Sequence, residues 1–598
     1  MKINKTSAVL VFLLFFSISV LAQKASFAYT VKMDNPEWHF FHVQLSCKGI
    51  KQDFIDFKMP AWTPGYYQKM DYGKNLERLK VTDETGKELK WEKINDNTWR
   101  VSSKNSNTVN LAYEIKTTRS FVATAYLDET RAYILPAAVF LYIDKMINQP
   151  VHVTVVPDSK WNRVATGLDS IAGKKFTYSA PDFDILYDSP ILVGDLKELT
   201  PFKVKGITHR FIGFKLGDFD RQQFMLDLKK VVEAAVKIIG HIPYKSYTFI
   251  AMGPGQGGIE HLNNTTFGFN GTNLNKRENY IRTLHFLAHE YFHHYNVKRI
   301  RPIELGPFDY DKGSRTKMLW VSEGLSVYYE YMIVKRADIS TDAELFNAFR
   351  GNMMAFENKP GRLYQTLEQA SYETWSDGPF GRTGDEINKT ISYYDKGPAV
   401  GLLFDFKIRQ LTRNKKSLDD VMRFLYKEYY QKKKRGFTEE ELRNAFETVA
   451  GSSLAKEFDY VTTTKELDYL TYFNYAGLNI DTTTQALPGA YAGFTLREKE
   501  DSVFIANVDY GSPGWNASIR RGQQLVKING ERSSASLFNK IINSARAGDK
   551  IRFSLFINNE TKDIEVILGT KTEKGFKMTP VGNPSPLQKQ ILEDWLKG

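Results

Sequence analysis

The sequence predicts a multidomain α+β protein: an N-terminal antiparallel β domain, an α-rich middle domain and a β-rich C-terminal domain. Its 598 residues exceed what one hydrophobic core usually organises. The spacing of apolar residues also changes twice along the chain, from a period of two to a helical period and back. We therefore expect a leader at 1–22, a β domain at 23–200, a helical domain at 201–475, a β-rich domain at 486–572 and a tail at 573–598.

The first residues have the layout of a cleaved signal peptide. Lys2 and Lys5 precede the apolar run Ala8–Leu21, and Ala22 offers a small residue for cleavage. An uncleaved anchor is the alternative, but the run is shorter than the roughly 20 residues that a spanning helix needs. We expect export to a periplasm or out of the cell, and no membrane span in the mature chain.

The distribution of charge argues against one class of partner, and the cysteine count excludes one kind of cross-link. The formal net charge of +12 is scattered along the chain rather than gathered into one stripe, so we expect no nucleic acid partner. Cys47 is the only cysteine, which excludes an intramolecular disulfide even in an exported protein.

The three predicted domains differ in their local patterns. Alternating stretches such as Phe41–Ser46 and Val151–Val155, separated by turn residues, indicate antiparallel strands in the first domain. The second begins with helical spacing over Phe219–Ile239 and a buried strand at Tyr247–Met252. In the tail, the amphipathic stretch Leu587–Leu596 is expected to dock on a neighbouring domain.

A metal-binding pattern lies in the middle domain. His289 and His293 are four residues apart in a helical pattern that starts near Asn275, where Asn275 and Glu278 form a candidate capping box. Residues four apart lie one above the other on a helix, so both imidazoles can reach one ion, and Glu290 lies close enough to activate a water on it. The alternative is a helix with two hydrogen-bonded histidines on a half-buried face.

The third ligand distinguishes the classes of zinc peptidase. A metzincin would continue with a glycine and a further histidine, where this chain has Asn296 and Arg299. Glu323 is a lone carboxylate in an apolar helical stretch, where an unpaired charge is costly and a metal would satisfy it. Glu330 is the fallback ligand, and a glutamate paired with a basic residue is the alternative. With two imidazoles and one carboxylate, one Zn²⁺ per chain retains a position for water.

Two further segments point to a substrate. The strand ending at Met252 runs into a glycine-rich loop in which Gly257 and Gly258 allow close backbone approach, and Glu260 could pair with a substrate ammonium. Tyr394 opens a later helix, and its hydroxyl could stabilise an oxyanion. A solvent-exposed turn glutamate and an ordinary tyrosine remain the alternatives at this point.

Together these residues resemble the glycyl aminopeptidase family of gluzincin metallopeptidases. The likeness extends over nearly the whole mature chain. Its motifs are Trp62–Tyr66, Asp188–Pro190, Gly257–His261, His289–His293, Asn296–Pro302, Trp320–Gly324 and Tyr394–Gly397.

The resemblance implies a thermolysin-like catalytic domain with zinc on His289, His293 and Glu323, and Glu290 as the general base. By similarity with the related alanyl aminopeptidases, it also implies that Glu260 binds the free N-terminus of a peptide and that Tyr394 stabilises the oxyanion. The corresponding loop of those enzymes ends in Glu-Asn, whereas here His261 follows Glu260.

The last domain resembles a PDZ domain, with Tyr491–Phe494 as its candidate carboxylate-binding loop. It would bind a peptide C-terminus by strand addition, unless it is a degenerate unit that packs without a ligand. The resemblance favours a zinc aminopeptidase that removes small N-terminal residues such as Gly or Ala. The rivals are a zinc endopeptidase using the same site and a non-catalytic peptide-binding protein acting through its PDZ domain.

Overall fold

The computed structural model describes residues 25–104, 106–117, 119–381 and 388–598. The predicted signal peptide at 1–22 therefore lies outside the described residues. Buried apolar side chains form three cores, which correspond to an N-terminal, a middle and a C-terminal part of the chain. In the part of the chain that is described, no helix combines the length and the apolar character that a bilayer span requires.

The N-terminal part is built from β-sheets. A seven-stranded sheet has the order β13-β14-β11-β1-β2-β7-β4, and two four-stranded sheets have the orders β10-β3-β6-β5 and β12-β15-β9-β8. The elements are β1 Ser26–Lys32, β2 Phe40–Lys48, β3 Phe54–Lys58, β4 Leu76–Asp83, β5 Trp91–Asn95, β6 Thr98–Ser102, β7 Thr108–Lys116, β8 Tyr126–Leu127, β9 Arg131–Ile134, β10 Tyr142–Ile143, β11 Val151–Val156, β12 Arg163–Thr166, β13 Asp169–Ser170, β14 Thr177–Ala180, α1 Phe183–Tyr187 and β15 Ile191–Gly194.

One strand pair departs from the predicted antiparallel arrangement. β1 runs parallel to β11, with Phe27 opposite Val151, while β1 and β2 are antiparallel. Parallel neighbours need a long connection, and here more than a hundred residues separate the two strands in sequence. Alternation of apolar and polar residues identifies a strand and its buried face, but it does not specify which strand pairs beside it.

The middle part places a six-stranded sheet against a bundle of helices. Strands β18, β19 and β21 are parallel, and β20 lies antiparallel at the edge. The elements are β16 Lys197–Glu198, β17 Phe202–Val204, β18 Ile207–Gly213, α2 Arg221–Ile239, β19 Ser246–Ala251, β20 Gly258–Glu260, β21 Asn264–Phe267, α3 Arg277–Phe292, α4 Leu325–Arg336, α5 Asp342–Glu357, α6 Leu367–Asp377, α7 Tyr393–Leu411, α8 Leu418–Leu425, α9 Glu439–Ala450, α10 Ala455–Thr462 and α11 Tyr469–Tyr475.

The C-terminal part contains a second six-stranded sheet, in the order β24-β25-β26-β28-β29 with β27 beside β26. The elements are β22 Leu478–Asp481, β23 Thr484–Ala486, β24 Phe494–Lys499, β25 Ser502–Val508, α12 Pro513–Asn516, β26 Gln524–Ile528, β27 Glu531–Arg532, α13 Ala535–Ser544, β28 Lys550–Ile557, β29 Glu560–Ile567, β30 Thr572–Lys574, β31 Lys577–Pro580 and α14 Pro586–Lys597.

The two ends of this part return to the middle core. β22 pairs with β31, and α14 packs on α4 and α11 through the buried side chains Ile591 and Trp595. The indole of Trp595 donates a hydrogen bond to the Tyr328 hydroxyl at 3.2 Å. The expected docking of the amphipathic tail is confirmed.

The helix that carries the histidine pattern starts later than predicted. α3 begins at Arg277, and its N-cap residue Lys276 makes no side-chain cap. The candidate capping box at Asn275 and Glu278 is therefore wrong by one residue, because a lysine occupies the cap position and cannot accept from the first backbone amides. The error does not change the face on which the histidines lie.

Candidate metal centre and active site

The last turn of α3 carries the predicted metal ligands. His289 and Glu290 lie inside the helix, and His293 is its C-cap residue. All three side chains are buried. Because the helix continues with αR geometry through His293, the two imidazoles lie on the same face and point towards α4.

Glu323 completes a triangle of ligand atoms. It lies in the π-helical turn Trp320–Gly324 that leads into α4, a geometry that is frequent at functional sites. His289 Nε2 and His293 Nε2 are 2.9 Å apart, and Glu323 Oε2 lies 3.5 Å from the first and 3.3 Å from the second. Tetrahedral ligands about 2.05 Å from one zinc ion are about 3.3 Å apart. The three residues therefore fit a single zinc ion.

The outer nitrogen of each histidine has a polar neighbour. Glu330 Oε2 lies 2.9 Å from His289 Nδ1, and His293 Nδ1 donates to the carbonyl of Asn296 at 2.8 Å. Such partners fix the ring orientation and keep Nε2 available for the metal. The fallback role of Glu330 as third ligand is thus wrong: it lies behind His289, about two helical turns after Glu323.

The charges of the site favour a cation between these residues. Burial alone lowers the pKa of His289, but Glu323 and Glu330 outweigh it and raise the pKa well above its usual value. The pKa of His293 is likewise raised, since Glu323 outweighs burial. Burial alone would raise the pKa of Glu323, but the two imidazoles hold it well below its usual range.

Glu290 lies beside the ligands with its carboxylate turned to the edge strand. Its Oε2 accepts a hydrogen bond from Thr265 Oγ1 at 3.3 Å. Burial raises the pKa of Glu290 to about 7, against the opposing effect of His289 and His293. Gly258 lies directly against this carboxylate: a Cβ there would approach Glu290 Oε1 to 2.3 Å, so only glycine fits.

Glu260 is the last residue of β20 and is only 3% exposed. Its Oε1 has no hydrogen-bond partner among the described residues. Gly65 from the N-terminal part packs against the same carboxylate, and the negative charge of Glu260 raises the pKa of the neighbouring Tyr67, though less than burial does. A buried carboxylate with an unpaired oxygen is costly, so the site favours a cationic partner.

Tyr394 reaches the metal centre from the first turn of α7. Its hydroxyl donates to Glu323 Oε2 at 3.0 Å, and its ring stacks on Phe380 with centroids 5.8 Å apart. The structure thus brings Tyr394 to the metal-binding triad.

Three of the site residues, His289, Glu290 and Tyr394, border a cavity of about 790 Å³, whereas Glu260, His293 and Glu323 do not line it. The predicted residues Gly257 and Gly258 lie on its wall, together with His289, Glu290 and Tyr394. Sequence reasoning did not assign a role to the other lining residues from the N-terminal and helical parts. They include Tyr66, Tyr67, Gln68, Phe121, Val122, Arg282, His285 and Tyr393.

Among these lining residues, the sequence motif Trp62–Tyr66 signals only Tyr66. The Trp62–Tyr66 motif has no chemistry of its own, yet it places Gly65 and Tyr66 at the cavity from a separate domain. Phe121 packs edge-on against Tyr66, with centroids 5.3 Å apart, and lies in a loop with no pattern that predicts this contact.

His261, the residue that departs from the alanyl aminopeptidase pattern, is fully buried beneath the edge strand. Its Nδ1 lies 3.2 Å from Asp188 Oδ1, and Lys298 Nζ lies 2.8 Å from the same oxygen. Burial alone raises the pKa of Asp188, but Lys298 and His261 outweigh it and lower the pKa to about 2. Three separated sequence motifs therefore meet in one buried ionic cluster next to Glu260.

Comparison with known proteins identifies the two larger parts of the chain. A model of the Peptidase M61 N-terminal domain matches residues 28–195, and a model of M61 glycyl aminopeptidase matches residues 282–400. Two separate segments of the chain are thus similar to domains of the M61 glycyl aminopeptidase family. With the metal-binding triad inside the segment that matches the M61 glycyl aminopeptidase model, the protein is a zinc metallo-aminopeptidase.

One solved structure shows the same architecture over nearly the whole chain. The aminopeptidase N family protein from Idiomarina loihiensis is similar to this protein with a TM-score of 0.85 and 22% identity, over 96% of this chain and 100% of that chain. An M1 zinc metallopeptidase from Deinococcus radiodurans has a TM-score of 0.46 and 13% identity, over 75% of this chain and 95% of that chain. A mutant of that peptidase bound to a Tyr-Ser-Ala substrate has a TM-score of 0.45 and 15% identity, over 75% of this chain and 94% of that chain. No curated protein matches the sequence.

Proposed function

We propose that this protein removes the N-terminal residue of peptides and that Glu260 selects substrates with a free amine. The observation that carries the proposal is the buried Glu260 carboxylate, whose Oε1 has no partner among the described residues. A substrate ammonium would supply the missing cation, and an ion pair formed in a buried site is strong when both charges are desolvated. The first peptide bond would then lie over the metal-binding triad.

Each remaining group has a chemical role in this scheme. Glu290 takes a proton from the attacking water and transfers it to the leaving amine, and Thr265 holds its carboxylate in place. Zinc held by the triad would supply Lewis-acid polarisation of the carbonyl. Tyr394 exchanges its hydrogen bond with Glu323 for one to the developing oxyanion.

We also propose a preference for a small first residue, Gly or Ala, and the glycyl aminopeptidase description of the matching family supports glycine. Glu290 as the base is tested by comparing wild type with Glu290→Gln on fluorogenic Gly and Ala amides. If the variant retains its zinc but no longer hydrolyses them, the result supports this role. Removal of zinc by a chelator should abolish turnover and added Zn²⁺ should restore it. Equal rates for wild type and Glu290→Gln would exclude that role.

An endopeptidase using the same zinc is the second candidate, since the triad alone does not select the peptide amine. N-acetylation of a peptide distinguishes the two. An aminopeptidase loses turnover because Glu260 loses its cation, whereas an endopeptidase cleaves the blocked peptide equally well.

The proposal extends to the C-terminal part, which we assign as a PDZ domain that binds peptide C-termini. In support, β24 pairs with β25 alone among the described strands, and Phe538 of α13 packs beside it on Phe494, with centroids 5.1 Å apart. A strand-adding peptide needs such a free edge next to a helix. Binding of a fluorescent peptide that is lost on C-terminal amidation would support it. We further propose export directed by residues 1–22, which N-terminal sequencing of the mature protein would test.

A further inference from the structure

The metal-bearing helix α3 has a second set of polar side chains along the cavity. Arg282, His285 and His289 follow at helical spacing, so they lie in one row along the cavity wall. Arg282 is the only arginine or lysine that lines the cavity within the described residues. It is exposed, donates to Asn279 Oδ1 at 3.0 Å and forms no ion pair in the described part of the chain.

His285 lies between the arginine and the metal centre. It is buried, and its Nε2 has no hydrogen-bond partner among the described residues. A buried nitrogen without a hydrogen-bond partner is costly in a protein core. Because His285 lies on the cavity wall, a ligand that enters the cavity can supply the missing partner. Neither Arg282 nor His285 has a part in the chemistry proposed above.

The direction of this row follows from the edge strand. Glu260 pairs with Thr265, which contacts Glu290, while Gly258 pairs with Phe267, whose ring packs on Phe286 of α3 at 6.2 Å between centroids. Gly258 itself abuts Glu290, but its pairing partner Phe267 reaches Phe286, one helical turn before Glu290, so the strand runs from Glu260 towards the N-terminal side of α3. We therefore expect a peptide whose amine is at Glu260 to extend its C-terminal end towards His285 and Arg282.

The lengths agree with a short peptide. Arg282 precedes His289 by seven residues, or about 10 Å along the helix axis. An extended peptide advances about 3.5 Å per residue, so the terminal carboxylate of a tripeptide lies about 7 Å beyond the scissile carbonyl and that of a tetrapeptide about 10 Å. A guanidinium at this distance can bind a carboxylate with two parallel hydrogen bonds.

We propose that Arg282 binds the free C-terminal carboxylate of the substrate and that His285 donates to the peptide between the two ends. The preferred substrates are then free tripeptides and tetrapeptides, held by their amine at Glu260 and by their carboxylate at Arg282. This inference rests on the proposed aminopeptidase function, because the polarity of the bound peptide is set by Glu260.

The test compares alanine peptides of two to six residues, as free acids and as C-terminal amides, with Ala-p-nitroanilide as a substrate that has no carboxylate. We expect kcat/KM of the wild type to favour the free acid over the amide by about tenfold at three and four residues. That ratio should approach one in Arg282→Ala and Arg282→Gln, mainly through KM, and should decrease with ionic strength in the wild type.

Lys276→Ala is the matched control. It removes one positive charge just before α3, about 20 Å from His289 along the helix direction, and does not line the cavity. Its acid-to-amide ratio should equal that of the wild type. If the acid-to-amide ratio decreased equally in Lys276→Ala and Arg282→Ala, the preference would come from the total positive charge of the protein and not from a contact with Arg282. That result would overturn the proposal.

The outcomes also separate the two proposals. If Ala-p-nitroanilide is cleaved in a Glu260-dependent manner but wild type and Arg282→Gln treat acids and amides alike, the carboxylate site is wrong and the aminopeptidase function stands. If peptides are cleaved equally well after N-acetylation, the aminopeptidase function fails, and the carboxylate site fails with it.

Discussion

Replacement of Glu260 by glutamine tests the site without changing its shape. Gln fills the same volume but has no charge, so the substrate ammonium would enter a buried position without its counterion. Because Glu260 is only 3% exposed, solvent screens little of this interaction. Loss of one partner from a buried charge pair costs about 2–5 kcal/mol, and about 3 kcal/mol corresponds to a decrease in kcat/KM on the order of a hundredfold.

The same substitution should have the opposite effect on stability. The carboxylate has an unpaired oxygen in the folded enzyme, so an amide relieves part of its desolvation cost and the thermal midpoint should be unchanged or higher. Glu357→Gln is the control: Glu357 is also buried, but it pairs with Tyr469 outside the cavity, so kcat/KM should not change. A kcat/KM for Glu260→Gln within a few-fold of wild type, or an equal loss on N-acetylated peptides, would refute the reasoning.

Three further substitutions have distinct readouts. Tyr394→Phe should lower kcat about a hundredfold with zinc content and KM nearly unchanged, measured by steady-state kinetics. Glu330→Gln should weaken zinc binding about tenfold or more in chelator competition, because it releases His289 Nδ1. The folded pKa of Asp188 lies near 2, below its unfolded value of about 3.9, so the ion pair stabilises the fold above about pH 4 by about 2 kcal/mol and this is lost as the pH falls towards 2. Thermal midpoints of Asp188→Asn should therefore change less on acidification than those of wild type.

The metal centre could be predicted from the sequence because its signals are local. A helix turns about once every four residues, so His289 and His293 had to share a face wherever the helix began. Glu323 was recognisable as a single charge in an apolar stretch. Neither argument depends on the error of one residue at the start of α3.

The supporting residues could not be predicted in the same way. Whether Glu330 is a ligand or an orienting partner depends on a few ångströms between two helices, and sequence spacing is compatible with both. The parallel pairing of β1 with β11 depends on contacts more than a hundred residues apart. The contribution of Phe121 and Val122 to the cavity depends on how two domains dock, which composition and periodicity do not specify.

A single close packing contact brings Tyr394 to the metal-binding triad. Gly324 follows the ligand Glu323, and a Cβ on it would lie 2.7 Å from the Cα of Gly397 on α7. With glycine at both positions, the backbones of the π-helical turn and α7 approach more closely than larger side chains would permit. Tyr394 lies three residues before Gly397, or about one turn, so the same approach places its hydroxyl within hydrogen-bond distance of Glu323. The tyrosine is therefore positioned by two glycines that do not line the cavity, which is why its proposed role followed only from the resemblance and not from its own surroundings in the sequence.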